Sequence, residues 1–207
     1  MNNYLNIALP KGRLSDDVFE LLNQAGYDIP VIENQRRLVI EDKKNQFKYF
    51  FVKPTDVPTY VDRGVCDIGI TGKDILIESH KQVYELLDLN IGRCKMVLAG
   101  LNPSVMDKEG ELIIATKFPK IAETFFSQRN QDVLIVKLNG SVELGPIVGL
   151  SDAIVDIYET GSTLKANGLS VFEDIERISA YLISNKASYR LKNKEIRSLV
   201  ERLIEVI

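Results

Sequence analysis

The amino-acid sequence predicts an α/β protein built as two half-size lobes. Short apolar runs alternate with amphipathic helical stretches almost from end to end, the pattern of βαβ units. Most of those runs are apolar along their whole length, as strands covered on both faces of a mostly parallel sheet are. The series restarts at Cys94, so the stretch near Asn90–Arg93 is a domain crossing, and the region around 170–180 is a second one. The expected division is residues 1–92, completed by 180–207, against residues 93–179. A ligand cleft made by loops from both lobes is expected between them.

In the first lobe, Leu5–Leu9 is a short strand. Ser15 is placed to cap a helix whose Val18, Leu21, Leu22 and Ala25 share one face and which Gly26 ends. Leu38–Ile40 and Phe47–Val52 flank the polar stretch 41–46 as a hairpin, with Lys43-Lys44 at its tip. Asp56 and Pro58 start a helix that turns Val57, Tyr60 and Val61 inward and stops at Gly64. Asp67–Thr71 is a strand, and a helix follows from Lys73. In the second series, Met96–Leu101, Leu112–Ala115 and Val133–Leu138 are strands. A helix around Ile121–Arg129 gathers Ile121, Phe125 and Phe126 on one side. The segment 141–150 is expected to be helical despite Gly145 and Pro146. Ala153–Tyr158 and Ile178–Ile183 are strands, and Ile196, Leu199, Val200, Leu203 and Ile207 form the apolar stripe of a last helix.

The 207 residues carry a net charge of -3 with basic and acidic side chains interspersed, so nucleic acid is not the expected partner. The N-terminal Met-Asn-Asn-Tyr-Leu-Asn lacks the basic and apolar regions of an export signal, and no stretch reaches the length of a membrane helix; a cytoplasmic protein is expected. Cys66 and Cys94 lie in or beside apolar runs and read as buried free thiols. His80, the one histidine, stands among Glu78, Ser79 and Lys81 at an exposed helix end. With two separated cysteines it makes a poor zinc set, and it offers no His-dependent triad.

Residues 152–164, Asp-Ala-Ile-Val-Asp-Ile-Tyr-Glu-Thr-Gly-Ser-Thr-Leu, are the most informative stretch. A strand runs into the hydroxyl-rich turn Thr160-Gly161-Ser162-Thr163 and then into a helix start, which is the make-up of a phosphate site. N–H groups at the helix end favour an anion, Gly161 lets the backbone approach it, and the hydroxyls of Thr160, Ser162 and Thr163 add hydrogen bonds. Asp152 and Asp156 are carboxylates suited to sugar hydroxyls or a metal. Read alone, the turn serves equally well as a plain N-cap, with Asp156 a satisfied strand-end residue. The chain contains no Gly-x-x-x-x-Gly-Lys-Ser/Thr and no Gly-x-Gly-x-x-Gly, so neither an ordinary P-loop nor a dinucleotide oxidoreductase is supported.

Other strand ends add weaker candidates. Ala8-Leu9-Pro10-Lys11-Gly12-Arg13-Leu14 sets Lys11 and Arg13 where parallel sheets bind ligands, although a solvated strand–helix loop would look alike. One of Arg36 and Arg37 is placed to face the cleft, and both suit a surface. Lys53-Pro54-Thr55-Asp56 is again a strand-end loop. In Asp67-Ile68-Gly69-Ile70-Thr71-Gly72-Lys73-Asp74, Gly69 suggests close approach of backbone or ligand, and Thr71-Gly72 a second anion- or base-binding turn. In Asn139-Gly140-Ser141-Val142-Glu143, Ser141 is a candidate N-cap and Glu143 a candidate ligand contact.

Leu9–Leu14, Lys53–Val61, Asp67–Asp74, Leu138–Leu144 and 152–168, in that order, resemble the ATP phosphoribosyltransferase family, and the likeness covers essentially the whole chain. The resemblance implies two α/β lobes about a central cleft, like type II periplasmic binding proteins. It implies the first reaction of histidine biosynthesis, in which N1 of the ATP adenine attacks C1 of phosphoribosyl pyrophosphate. The products are phosphoribosyl-ATP and pyrophosphate, with inversion at C1 and with Mg2+ required. On this resemblance Thr160, Gly161, Ser162 and Thr163 take the 5-phosphate, and Asp152 and Asp156 hold ribose hydroxyls directly or through magnesium. Lys11, Arg36 and Lys53 stabilise pyrophosphate or the ATP phosphates, joined by Arg13. Glu143 and the Thr71-Gly72 turn lie near ATP or the ribose. Many family members carry Arg where this chain has Lys53; lysine keeps the charge and loses the bidentate fork. An oxocarbenium-like transition state is helped mainly by positioning and electrostatics, so no His or Cys nucleophile is needed.

The chain reaches Ile207 without the C-terminal histidine-binding domain of longer members, and so resembles the short form. That form's partner is a regulatory subunit resembling the catalytic core of histidyl-tRNA synthetase. A hetero-oligomer with histidine inhibition residing in the partner is expected. Two other functions compete. A phosphoribosyltransferase for another base would share residues 152–163 and differ in the remaining segments. A cytosolic ligand-binding module would share the fold without needing the phosphate turn.

Overall fold

The computed structural model describes residues 4–27, 29 and 37–207. In chain order the elements are β1 (Leu5–Pro10), α1 (Leu14–Gln24), β2 (Val39–Asp42), β3 (Phe47–Val52), α2 (Val57–Asp62), β4 (Ile68–Gly72), α3 (Lys73–Ser79), β5 (Val83–Asp88), β6 (Cys94–Gly100), β7 (Leu112–Thr116), α4 (Pro119–Ser127), β8 (Val133–Lys137), α5 (Leu144–Ile147), β9 (Ala153–Tyr158), α6 (Ser162–Ala166), β10 (Ser170–Ile178), β11 (Ala180–Asn185), α7 (Lys186–Leu191) and α8 (Asn193–Ile204). They form two compact units, Met1–Gly92 with Ser179–Ile207, and Arg93–Ile178.

The first unit holds a six-stranded sheet in the order β2-β3-β1-β4-β11-β5, and the second a five-stranded sheet in the order β10-β6-β9-β7-β8. Each has a parallel core of three strands, β3-β1-β4 in one and β8-β7-β9 in the other. The remaining pairings are antiparallel, so both sheets are mixed and the expectation of mostly parallel strands is corrected. The antiparallel strands β5 and β10 were not foreseen. Half of β5 and most of β10 are exposed, and β10 carries Glu173, Asp174, Glu176 and Arg177, so neither shows a long apolar run. Strand β10 fills most of the stretch 170–180, and the chain passes back to the first unit at its end, between Ile178 and Ser179.

Sheet one is covered on both faces. Leu5, Ile7 and Leu9 of β1 bury against α1 and α8 through Leu21, Leu22, Ile196, Leu199 and Leu203. Ala8 on the other face meets Val57 and Val61 of α2, Leu76 of α3 and Cys66. Gly69 explains how α2 comes so close: a Cβ there would lie 2.8 Å from both Val57 Cγ1 and Val61 Cγ2. The glycine in β4 thus serves helix packing, not a ligand. Cys66 is buried and Cys94 half-buried, and neither is in a disulfide. Burial and the Asp67 charge push the Cys66 thiol up to about 12, so it is inert at neutral pH.

Local ends follow the chemistry of their residues. Gly26 and Gly64 close α1 and α2 with φ of +83° and +70°, values that L side chains rarely adopt. Ser15 is inside the first turn of α1, not at its cap; Arg13 holds the cap position, and the Ser15 hydroxyl donates to the Gly12 carbonyl. The helix expected over 141–150 shrinks to Leu144–Ile147: Ser141, at φ of +49°, stands outside its start, and Gly149, at φ of +73°, turns the chain just past its end. The Gly145 carbonyl instead accepts from the N–H groups of Leu150 and Ser151.

Candidate active site

In the first unit the carboxyl ends of three parallel strands are tied together. Pro10 lies opposite Val52, and the Lys11 N–H donates to the Val52 carbonyl at 2.9 Å. The Thr71 hydroxyl donates to the Pro54 carbonyl at 3.3 Å. The loops bearing Lys11, Arg13, Lys53 and Gly72 therefore share one end of sheet one. Lys11 is half-buried, while Arg13 and Lys53 are exposed. Their charge favours an anion, and Lys73, next in line, is already paired with Glu85 at 2.5 Å. Thr71 itself is fully buried and its hydroxyl is spent on the 54 loop, so only the backbone of the Thr71-Gly72 turn remains for a ligand. Arg36 lies outside the described residues; Arg37 is exposed.

In the second unit, β9 delivers Asp156 and then the turn. Gly161 adopts φ of +72°, and a Cβ on it would lie 2.5 Å from the Tyr158 ring, so only glycine fits between the aromatic ring and the turn. The Thr160 and Ser162 hydroxyls meet at 3.0 Å, and the Ser162 N–H reaches Thr160 Oγ1 at 3.4 Å. Thr160, Ser162 and Thr163 are all exposed, with Leu164 buried beneath them to fix the helix. The turn is thus a shallow ring of hydroxyls and amides facing solvent, held from below by apolar packing.

Asp156 is half-buried, and its pKa is raised to about 6. Burial is the main cause; the Ile157 backbone N–H opposes it, Glu143 adds to it through like charge, and Lys117 opposes it again. Glu143 and Lys117 therefore lie within electrostatic reach of Asp156. The sequence reading passed over Lys117, although a lysine directly after an apolar strand is the signal that singled out Lys11 and Lys53.

Asp152 does not join this group. It directly precedes β9, four residues before Asp156, which is roughly 13 Å along a strand. Its carboxylate accepts from Lys108 Nζ at 3.0 Å and from the Ile113 N–H at 2.8 Å. Burial pushes its pKa up, but the Ile113 and Lys108 hydrogen bonds outweigh that and hold it below the ordinary value. These bonds lock the start of β9 to β7.

Among the described residues, no three His, Cys, Asp or Glu side chains gather to hold a metal, and no helix is long and apolar enough to cross a membrane.

Comparison with known proteins fits this geometry. The BvgS periplasmic VFT2 domain of Bordetella pertussis shares the fold alone, with a TM-score of 0.61 at 15% identity over 100% of this chain and 88% of that one. The solved ATP phosphoribosyl transferase (HisG:HisZ) complex from Thermotoga maritima matches with a TM-score of 0.83 at 40% identity, over 98% of this chain and 97% of that one. The ATP phosphoribosyltransferase of Caldicellulosiruptor bescii is 53% identical over 207 residues, covering 97% of this chain and 99% of its own. The family model for ATP phosphoribosyltransferase matches residues 53–205, which take in Lys53, Glu143, Asp156 and the whole hydroxyl turn. With two parallel-core sheets, a glycine-dependent hydroxyl turn and identity sustained over nearly its full length, this chain belongs to the ATP phosphoribosyltransferase family.

Proposed function

We propose that this chain is the catalytic subunit of an ATP phosphoribosyltransferase, a pentosyltransferase that opens histidine biosynthesis. The lone pair of adenine N1 forms a bond to C1 of phosphoribosyl pyrophosphate, and the C1–O bond to pyrophosphate breaks with both electrons leaving on oxygen. The observation that carries the reading is the run from Asp156 through the Gly161 turn to α6. There the turn would take the 5-phosphate and Asp156 would accept from ribose hydroxyls, which it does best when ionised. Negative charge grows on the departing pyrophosphate, and Lys11, Lys53 and Arg13 form the set of cations suited to it. Glu143, beside Asp156, would face the ribose or the purine.

Magnesium fits as an ion carried on the diphosphate. No protein cluster is gathered for it among the described residues, and Mg2+ is commonly held by one or two carboxylates together with substrate phosphates. Bound there, it would neutralise charge on the leaving group.

The Thermotoga maritima relative was solved with HisZ. We place this chain in the same kind of hetero-oligomer, as the short form, with histidine inhibition residing in the partner and the reaction in the cytoplasm. The test is turnover of the purified chain with ATP, phosphoribosyl pyrophosphate and Mg2+, with and without a HisZ-type partner, followed by the absorbance of phosphoribosyl-ATP. Product in either condition is the expected result. Absence of product from an assembled complex would return the chain to another acceptor base or to a binding role.

A further inference from the structure

The hydroxyl turn has no cation of its own. Residues 152–163 include Asp152, Asp156 and Glu159 and contain no Lys or Arg. Glu143 adds negative charge at Asp156. A phosphorylated sugar entering there meets like charge, which costs affinity unless a cation stands close.

The register of the second sheet supplies one. Ala115 of β7 lies opposite Ile154 of β9, and Thr116 opposite Val155. Ala115 and Ile154 pack in one apolar cluster, so they share a face of the sheet. Side chains alternate along strands, so the next positions of that face are Lys117 and Asp156, side by side on strands about 5 Å apart. Val142 packs on the same cluster and brings Glu143 to it. Lys137 is not equivalent. It lies opposite Thr116, while its neighbour Val136 is the residue packed on the cluster, so Lys137 points to the other face.

Thr116 fixes where Lys117 starts. It is fully buried; its hydroxyl donates to the Val155 carbonyl at 2.6 Å and accepts from the Phe118 N–H at 2.8 Å. The chain is thereby pinned on both sides of Lys117. The lysine itself is exposed, with Nζ 6.0 Å from the centre of the Phe118 ring, and among the described residues it makes no salt bridge. Lys95 and Lys108 of the same unit, by contrast, are paired with Asp174 and Asp152.

We infer that Lys117 is a donor-binding residue, whose ammonium is the countercharge for the phosphorylated sugar held at the 160–163 turn. This rests on the transferase reading. The full chain, alone and with its partner, is titrated calorimetrically with phosphoribosyl pyrophosphate at low and high salt as wild type, Lys117→Met, Lys117→Arg and Lys137→Met. Lys117→Met is expected to weaken the donor about tenfold and to flatten the salt dependence. KM for ATP stays as it was, Lys117→Arg recovers most of the loss, and Lys137→Met behaves as wild type. Circular dichroism confirms that each variant is folded. Donor affinity within twofold of wild type in Lys117→Met, or an equal loss in Lys137→Met, overturns the inference and leaves the transferase reading intact. A wild-type chain that binds no donor with or without its partner overturns both.

Discussion

The two units share one scaffold and differ in what they hang on it. Each has three parallel strands with the earliest in the centre, and an antiparallel strand beside the third: β11 next to β4, and β6 next to β9. In the first unit the parallel strands end in Lys11, Lys53 and Lys73. In the second they lead into Glu143 and the Thr160–Thr163 turn, with Asp156 close to the end of β9. The same backbone thus presents lysines at its strand ends in both units, with Lys117 after β7 and Lys137 at the end of β8 in the second, and the second adds carboxylates with hydroxyls. Burial in the strands sets the scaffold; the first residues past each strand set the chemistry. Under the proposed assignment, unit one would handle departing or terminal phosphates and unit two would hold the phosphoribosyl group.

The division breaks most visibly at Gly161. Gly161→Ala forces a Cβ into the Tyr158 ring at a left-handed φ. Donor affinity should fall roughly a hundredfold or more, with ATP affinity changed by less than about threefold. An equal loss for both ligands would mean that the two units do not divide the substrates.

Asp156→Asn comes next, with kcat/KM falling by roughly tenfold to a hundredfold at neutral pH as the ribose acceptor is lost. Its stability should move the other way. A carboxyl whose folded pKa of about 6 exceeds its ordinary 3.8 contributes stability below 3.8 that is lost as pH rises through 6. At pH 8 the ionised Asp156 therefore costs on the order of 1–3 kcal/mol, and the asparagine variant escapes that cost. Urea midpoints should show the variant more stable at pH 8 and the gap nearly closed at pH 4.

Lys53→Met sharpens the comparison from the other side. It should weaken pyrophosphate inhibition about tenfold and leave ribose 5-phosphate binding alone, with Lys53→Arg active. The smallest catalytic effect belongs to Asp152→Ala. That change strands the Ile113 N–H and Lys108, so thermal unfolding should show a loss of about 1–2 kcal/mol while KM for the donor stays put.

Much of this was legible in the sequence because the strands of the parallel cores are continuous apolar runs and the helices carry apolar stripes. The turn at 160–163 was legible as a candidate because glycine and hydroxyls follow an apolar strand there, and it stood out from a plain N-cap only together with the other strand-end segments. What was not legible depends on pairing. Nothing local in Ser170–Ile178 announces a strand, since its partner β6 and not its own apolarity makes it one. Asp152 and Asp156 look alike in sequence and are separated only by the length of the strand between them. Lys117 follows an apolar strand as Lys11 and Lys53 do, and only the β7–β9 register places it beside Asp156.

The chain leaves its first unit at Gly92 and re-enters at Ser179, and β11 enters between β4 and β5, not at an edge. On the ribosome this has a cost in time. The stretch from Arg93 to Ile178 can close its own sheet as it emerges, while the earlier one waits with β4 open along one side. Until β11 slots in, that bare strand offers unpaired backbone groups to any neighbour, a hazard for a nascent chain. Bridging so long an intervening segment also slows the last pairing. The enzyme's second-made half is therefore the first that can be finished, and its final thirty or so residues are what close the open side of the first half's sheet.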